Sequence, residues 1–354
     1  MSEFDHHLWS AFFRGKIIFP LVQAYFGMTL RILTSSDVRA LLPMAHCIDV
    51  MREAMVALSQ GQVVMPPRVI APLANGNGLM ATMPGSSRTP AVDGVKLVTL
   101  MPANPAAGRA AVQGVVVLFD PVTGAPVALL EGAEITALRT AAVSGLATCL
   151  LARPDASSHG ILGTGVQARM HIDAIHAARP RVSEVRVWGR DHARTMAFAV
   201  RESTRTGLIV RAVPSAQEAA ECDIVSTTTG AALPVLAGHW LYEGTHVNLV
   251  GAHRPAEREA DTATITRTSV YVDLMESAMN EAGDLLIPIA EGAFTRDRIV
   301  GELGQLAAGH IPGRTSAAQL TLFKSLGVVA QDLFAAWAVF QRAIEADAGT
   351  VVDF

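Results

Sequence analysis

Residues 157–180 read "SSHGILGTGVQARMHIDAIHAARP". Ile161 and Leu162 give an apolar approach suited to a strand, Gly163-Thr164-Gly165 a tight turn, and the apolar positions beyond recur at helical spacing. That order brings free backbone N–H groups and the positive end of a helix dipole to one point, a place for a phosphate. A lone Gly-x-Gly-x-x-Ala triplet is a weak signal. Here its context strengthens it, because a second strand, "EVRVWGRD" at 184–191, ends about 25 residues later, as a dinucleotide-binding unit requires.

Working toward the C-terminus, apolar β-rich runs alternate with amphipathic ones: "EVRVWGR", "DHARTMAFAVRES", "LIVRAV", "SAQEAAEC", "DIVSTTTG", "THVNLVGA", "SVYVDLM". The alternation predicts an α/β class with a Rossmann-type, doubly wound parallel sheet. At the end of the second strand, Arg190 suits a 2′-phosphate and points to NADP. A turn shifted by one residue would instead make Asp191 the ribose ligand and NAD the cofactor.

Toward the N-terminus the pattern changes. Helical spacing from Ser35 to Gly61 predicts two helices. Short strands then follow, including a hairpin over Asp120-Pro121-Val122-Thr123-Gly124. This half reads as a mainly antiparallel α+β substrate-binding and dimerisation domain. A long Ala-rich helix ends at Arg153-Pro154, where proline restricts the residue before it. The expected division is an N-terminal extension over 1–27, the α+β domain over 28–150, the nucleotide domain over 151–310, and C-terminal helices over 311–354 that pack back on the first domain.

Composition excludes several classes. Half of the 354 residues are hydrophobic and 17% are charged, enough for a large core. A net charge of −4 with scattered basic residues gives no footprint for nucleic acid. The apolar run Thr140–Ala152 falls short of the roughly 20 residues a membrane span needs, so it reads as a buried helix and no membrane partner is expected. Cys47, Cys149 and Cys222 lack metal or redox spacing and read as buried thiols of a cytoplasmic protein. No His/Asp/Glu spacing suggests a metal.

Lys96 is a lone charge inside the apolar "DGVKLVTLMP", hard to explain unless it lines a pocket. Five stretches, "VKLVTLMPANP", "GAEITALRTAAVSGLA", "ILGTGVQARMHI", "VNLVGAHRPAEREAD" and "PGRTSAAQLTLFKSLGVVAQD", resemble in this order the ornithine cyclodeaminase and mu-crystallin family. The resemblance implies a substrate pocket lined by Arg68, Lys96, Arg139 and Leu326. It implies cofactor contacts at Thr140, Val166, Gln167, Arg190, Thr227, Thr228, Leu249, Gly251 and Ser325, beside the loop glycines Gly163 and Gly165. Where some members carry a hydroxyl after "PANP", this chain has Ala111. Two guanidinium groups and an ammonium suit a carboxylate bound next to a C=N bond.

The family resemblance also covers differing reactions, and His253 separates them. The cyclodeaminases place an aspartate after the "VGA" turn for proton transfer, with a lysine near it and an acid before the "SVG" motif; this chain has His253, Glu257 and Lys324 there. Ketimine reductases of the mu-crystallin type also lack that aspartate. A histidine, with a pKa near about 6.5, suits proton donation to an imine nitrogen near neutrality. The expected function is therefore NADPH-dependent reduction, NADH being the other possibility, of a small cyclic ketimine carboxylate such as pyrroline-2-carboxylate or piperideine-2-carboxylate to an L-imino acid such as proline. Lys96 and His253 would be its catalytic residues, and the protein a homodimer. The rival readings are ornithine cyclodeaminase, an NAD-linked alanine or amino-acid dehydrogenase, and a non-catalytic protein that binds NADPH and a small ligand.

Overall fold

The computed structural model describes residues 29–354, so the extension expected over 1–27 lies outside the described residues. The front half runs β1 (Thr29–Leu33), α1 (Ser35–Leu41), α2 (Met44–Ser59), β2 (Val63–Val64), β3 (Val69–Pro72), β4 (Leu79–Arg88), β5 (Ala91–Leu100), β6 (Val112–Phe119), β7 (Pro126–Glu131) and α3 (Gly132–Leu151). The back half begins with β8 (Ser158–Leu162), α4 (Val166–Ala178), β9 (Glu184–Trp188), α5 (His192–Thr206), β10 (Ile209–Ala212), α6 (Ala216–Ala220), β11 (Ile224–Thr227) and β12 (His246–Leu249). It continues with α7 (Thr262–Arg267), β13 (Ser269–Val272), α8 (Met275–Glu281), α9 (Gly283–Ala290), β14 (Ile299–Glu302), α10 (Leu303–Ala307), β15 (Thr321–Lys324), α11 (Val329–Glu345) and β16 (Thr350–Asp353).

The back strands form one parallel sheet in the order β10-β9-β8-β11-β12-β15-β13-β14. Chain direction across it reverses between β8 and β11, which opens a crevice at the carboxyl ends of those two strands. The front sheet runs β16-β1-β7-β6-β5-β4-β2, with β3 on β4, and is antiparallel except where β1 meets β7. Its hairpin β6–β7 turns on Asp120, whose carboxylate accepts from Val122 N and Thr123 N.

The two halves share α3. Glu131 caps its N-terminus by accepting from Ala133 N and Glu134 N, and fifteen of its residues, the unbroken run 137–148 among them, are buried. The run read from the sequence as Thr140–Ala152 is the C-terminal part of this twenty-residue helix, long and apolar enough to cross a membrane but mostly buried inside the protein. Its first turns carry Glu134 and Arg139, so the uncharged run alone understated its length.

The tail over 311–354, expected as helices, contains two strands and one helix. β15 lies between β12 and β13, and only then does α11 cross to the front sheet, ahead of β16 on β1. "TLFK" is a short, fully buried strand, and such a run has no periodicity to distinguish it from buried helix.

Candidate active site

The loops after β8 and β11 face each other across the crevice. Gly163 has φ +127° and packs so tightly that a Cβ there would lie 2.6 Å from Thr228 Oγ1. Gly165 is the reverse, since a Cβ on it would meet nothing within 4 Å. It is the N-cap of α4 but offers no side-chain cap, and the first turn holds no acid. The leading N–H groups of α4 therefore point into open space, and Gln167 Oε1 is buried without a partner. This cradle fits a pyrophosphate, with Val166 exposed at the helix start.

A cavity of about 540 Å³ runs from Gly163–Gly165 past Trp188, Arg190 and Arg194 to Thr228 and Thr229. A neighbouring one of about 840 Å³ adds Arg109 and Ala111 from the front half and Thr136 of α3, one turn before the buried Thr140. The Asp191 carboxylate accepts from Arg194 N at 3.0 Å and caps α5. Arg190 and Arg194 remain on the cavity wall, and among the described residues no ion pair engages them.

Other expected cofactor residues lie at the same carboxyl edge, but some face inward. Thr227 is buried and donates to Glu259 at 2.7 Å, while Thr228 donates to Leu162 O at 3.2 Å. Leu249 ends β12, its carbonyl accepts from Ser325 N at 2.9 Å, and Gly251 N donates to Glu259 at 2.6 Å. These residues shape the loops around the crevice from below.

On the front side, Lys96 from β5 and Arg139 from α3 converge on one oxygen. Lys96 Nζ and Arg139 Nε each donate to Asp332 Oδ1 at 3.0 Å, and all three side chains are buried. Arg139 also donates to Gln331 Oε1 at 2.6 Å, while Asp332 Oδ2 has no partner. Burial pushes the Lys96 ammonium down to about 8; Asp332 opposes that shift, and the neighbouring Arg139 and Arg68 reinforce it.

Arg68 reaches the same place from the segment between β2 and β3. It donates to Gly327 O at 2.8 Å and pairs with Glu281 of α8 at 3.2 Å. Gly327, at φ +80°, packs against the Arg139 guanidinium, so this one residue touches both arginines. Asp273 fixes the turn by accepting from Leu326 N and Gly327 N, each at 2.7 Å. Leu326 is buried there. Three cations, Lys96, Arg139 and Arg68, thus meet here beside the carboxylates of Asp332, Glu281 and Asp273.

His253 sits on the turn after β12, exposed, with Nδ1 3.0 Å from Gly251 O. With Nδ1–H donating to that carbonyl, Nε2 carries the lone pair of the neutral ring. The backbone bond expected of a plain turn histidine is thus present, and it sets the tautomer that leaves the other nitrogen free. His159 and His171 are buried, and His176 is part-buried on Val182 O.

Residues 28–347 match the ornithine cyclodeaminase/mu-crystallin family. The chain belongs to that family. It is 36% identical over 325 residues, 91% of this chain and 99% of the relative, to a Delta(1)-pyrroline-2-carboxylate reductase of Bacillus cereus. To the ketimine reductase mu-crystallin of Mus musculus it is 38% identical over 281 residues, 79% of this chain and 85% of that one. Among solved structures, Thermococcus litoralis Delta(1)-pyrroline-2-carboxylate reductase in complex with NADH and L-proline superposes with a TM-score of 0.87. It is 37% identical and covers 90% of this chain and 99% of its own.

In this family member, sequence reading missed the acids that hold the site. Asp332 is a lone charge in "GVVAQDLFAAWAVF", the same signal that singled out Lys96. Glu259, Asp284 and Lys324 form a buried chain under the His253 turn. Glu259 accepts from Thr227, Thr229, Gly251 and Ala252, and Asp284 accepts from Glu259 N at 2.8 Å. Lys324 bonds Asp284 at 2.8 Å and Ala252 O at 2.6 Å. Burial raises the Glu259 carboxyl.

Proposed function

We propose that this protein uses NADPH to reduce small cyclic ketimine carboxylates, pyrroline-2-carboxylate or piperideine-2-carboxylate, to L-imino acids such as proline. The observation that carries the reading is the convergence of Lys96 and Arg139 on a single buried carboxylate oxygen, with Arg68 beside them at Gly327. Such a cluster holds a substrate carboxylate in a fixed orientation by charge-assisted hydrogen bonds. When bound, the nicotinamide nucleotide supplies a hydride to the imine carbon. Lys96 polarises the C=N bond, and His253, protonated on both ring nitrogens, gives its Nε2 proton to the imine nitrogen and returns to the tautomer held by Gly251 O.

The coarser statement, an oxidoreductase acting on carbon–nitrogen bonds with a nicotinamide nucleotide, rests on family membership together with the uncapped, open cradle at Gly165. The preference for NADPH rests on Arg190 and Arg194 at the adenosine end and on an Asp191 already engaged as a helix cap. Arg190→Ala should weaken NADPH binding about tenfold and leave NADH within about twofold, as loss of one phosphate contact predicts. Equal effects on both would overturn the preference.

Steady-state NADPH oxidation with a panel of cyclic imines tests the reaction. Turnover of a five- or six-membered imine carboxylate supports it; ammonia release from L-ornithine with no imine turnover sinks it. A homodimer is the assembly that fits best, because the outer face of the front sheet exposes Val69, Met80 and Leu97. Met80→Lys should shift the protein to monomer in size-exclusion chromatography. An unchanged elution would place the partner elsewhere. A reducing cytoplasmic setting suits the three free thiols.

A further inference from the structure

Each cation of the substrate cluster is already engaged by an internal carboxylate, and the two carboxylates differ in kind. Asp332 is completely buried at the start of α11 and bound to two cations at once, so it stays where it is. Glu281 is the last residue of the short helix α8, its side chain about a quarter exposed, and it has one partner among the described residues, Arg68 at 3.2 Å. A cavity of about 70 Å³ opens beside this pair, walled by Met65, Met83, Val328, Asn280 and the pair itself. The guanidinium that would clamp a substrate carboxylate therefore meets a protein carboxylate first.

We propose that Glu281 is a displaceable stand-in for the substrate carboxylate: it occupies Arg68 in the empty enzyme and must leave for an anionic ligand to bind. The inference rests on the reading of Arg68, Lys96 and Arg139 as a carboxylate clamp. It makes Glu281 a specificity-determining residue. A ligand with a carboxylate gains Arg68 by exchange, whereas a neutral analogue has nothing to offer in return for the pair it breaks.

The groups that face Glu281 are Arg68 from the β2–β3 segment, His253 from the β12 turn and Asp273 at the end of β13, with Glu276 on its own helix. Burial and Asp273 raise its carboxyl, while Arg68 and His253 oppose that shift. Protonating Glu281 releases Arg68, so carboxylate affinity should rise as pH falls. The dependence should flatten when residue 281 cannot ionise.

L-Proline is the probe, because its charge is constant between pH 5 and 8 by the ordinary ranges of carboxyl and amino groups. Its Kd is measured by calorimetry on the cofactor-loaded dimer or monomer as isolated, for the wild type, Glu281→Gln and Glu281→Ala. Both variants should bind about three- to fivefold more tightly at pH 7.5, the worth of a partly exposed ion pair, and should lose most of the pH dependence. NADPH Kd, measured separately by fluorescence, should not move. Weaker or unchanged L-proline binding in variants with unaltered NADPH Kd overturns the stand-in role and leaves the clamp intact. A wild type that binds neither L-proline nor any cyclic imine carboxylate overturns the clamp and the inference together.

Discussion

Lys96 is charged only while the pH stays below the value to which burial drives it, about 8. As pH rises through that value the ammonium becomes neutral and can no longer polarise a C=N bond. kcat/KM for imine reduction should therefore fall above about pH 8 in the wild type. In Lys96→Arg that limb should move beyond the measurable range, because guanidinium keeps its charge. Lys96→Met should lower kcat by about a hundredfold or more, the usual scale for a buried electrostatic contact, with NADPH Kd unchanged. A basic limb that persists in Lys96→Arg would assign it to another group. Lys96 was legible in the sequence because a charge inside an apolar strand demands a partner. Its partner Asp332 carried the same mark. Arg68 and Arg139 carried none of their own and were found through family motifs. Glu259 and Glu281 sit among other charges, Arg254, Glu257, Arg258 and Glu276, and only tertiary packing separates the buried Glu259 and part-buried Glu281 from the exposed Arg254 and Glu276.

The strand–turn–helix element at 158–178 was the most legible part of the chain, and its two glycines do different work. Gly163 lets β8 approach the β11 loop, with a positive φ and Thr228 against it. Gly165 leaves room for a ligand. Gly163→Ala should cost about 1–3 kcal/mol of stability from strain and collision. Gly165→Ala has an ordinary φ of −91° and open space, so its stability should stay within about 0.5 kcal/mol of wild type while NADPH binding weakens at least about tenfold. Thermal melts with and without NADPH separate the two, and a Gly165→Ala variant that keeps full NADPH affinity would refute the cradle. The element that escaped sequence reading is β15, whose four residues are all buried. Without an exposed face it shows no alternation, and its pairing with β12 and β13 exists only once distant segments have met.

At the scale of the molecule, the tail ties the halves together: β15 completes the back sheet and α11 then covers the front one, with α3 between them. Three histidines lie at this junction, each buried and without charge. His159 of β8 has Nε2 3.0 Å from Ser226 Oγ, His171 of α4 has Nε2 3.0 Å from Ser144 of α3, and His246 of β12 has Nδ1 3.0 Å from Thr321 of β15. Burial pulls His171 down to about 4 and His246 to about 3, and carries His159 well below its ordinary value. A folded-state pKa below the unfolded one means the unfolded chain takes up protons first. Stability is therefore full above about 6.5 and is lost as pH falls toward 4 and 3. By pH 5, His171 and His246 should each have removed about 2 kcal/mol. Urea melts between pH 7.5 and 4.5 should show this loss, steeper than exposed carboxylates produce. His171→Gln, which keeps a hydrogen-bonding end toward Ser144, should flatten the slope by about one proton's worth. A slope unchanged in that variant would mean that the junction does not carry the acid sensitivity of the fold.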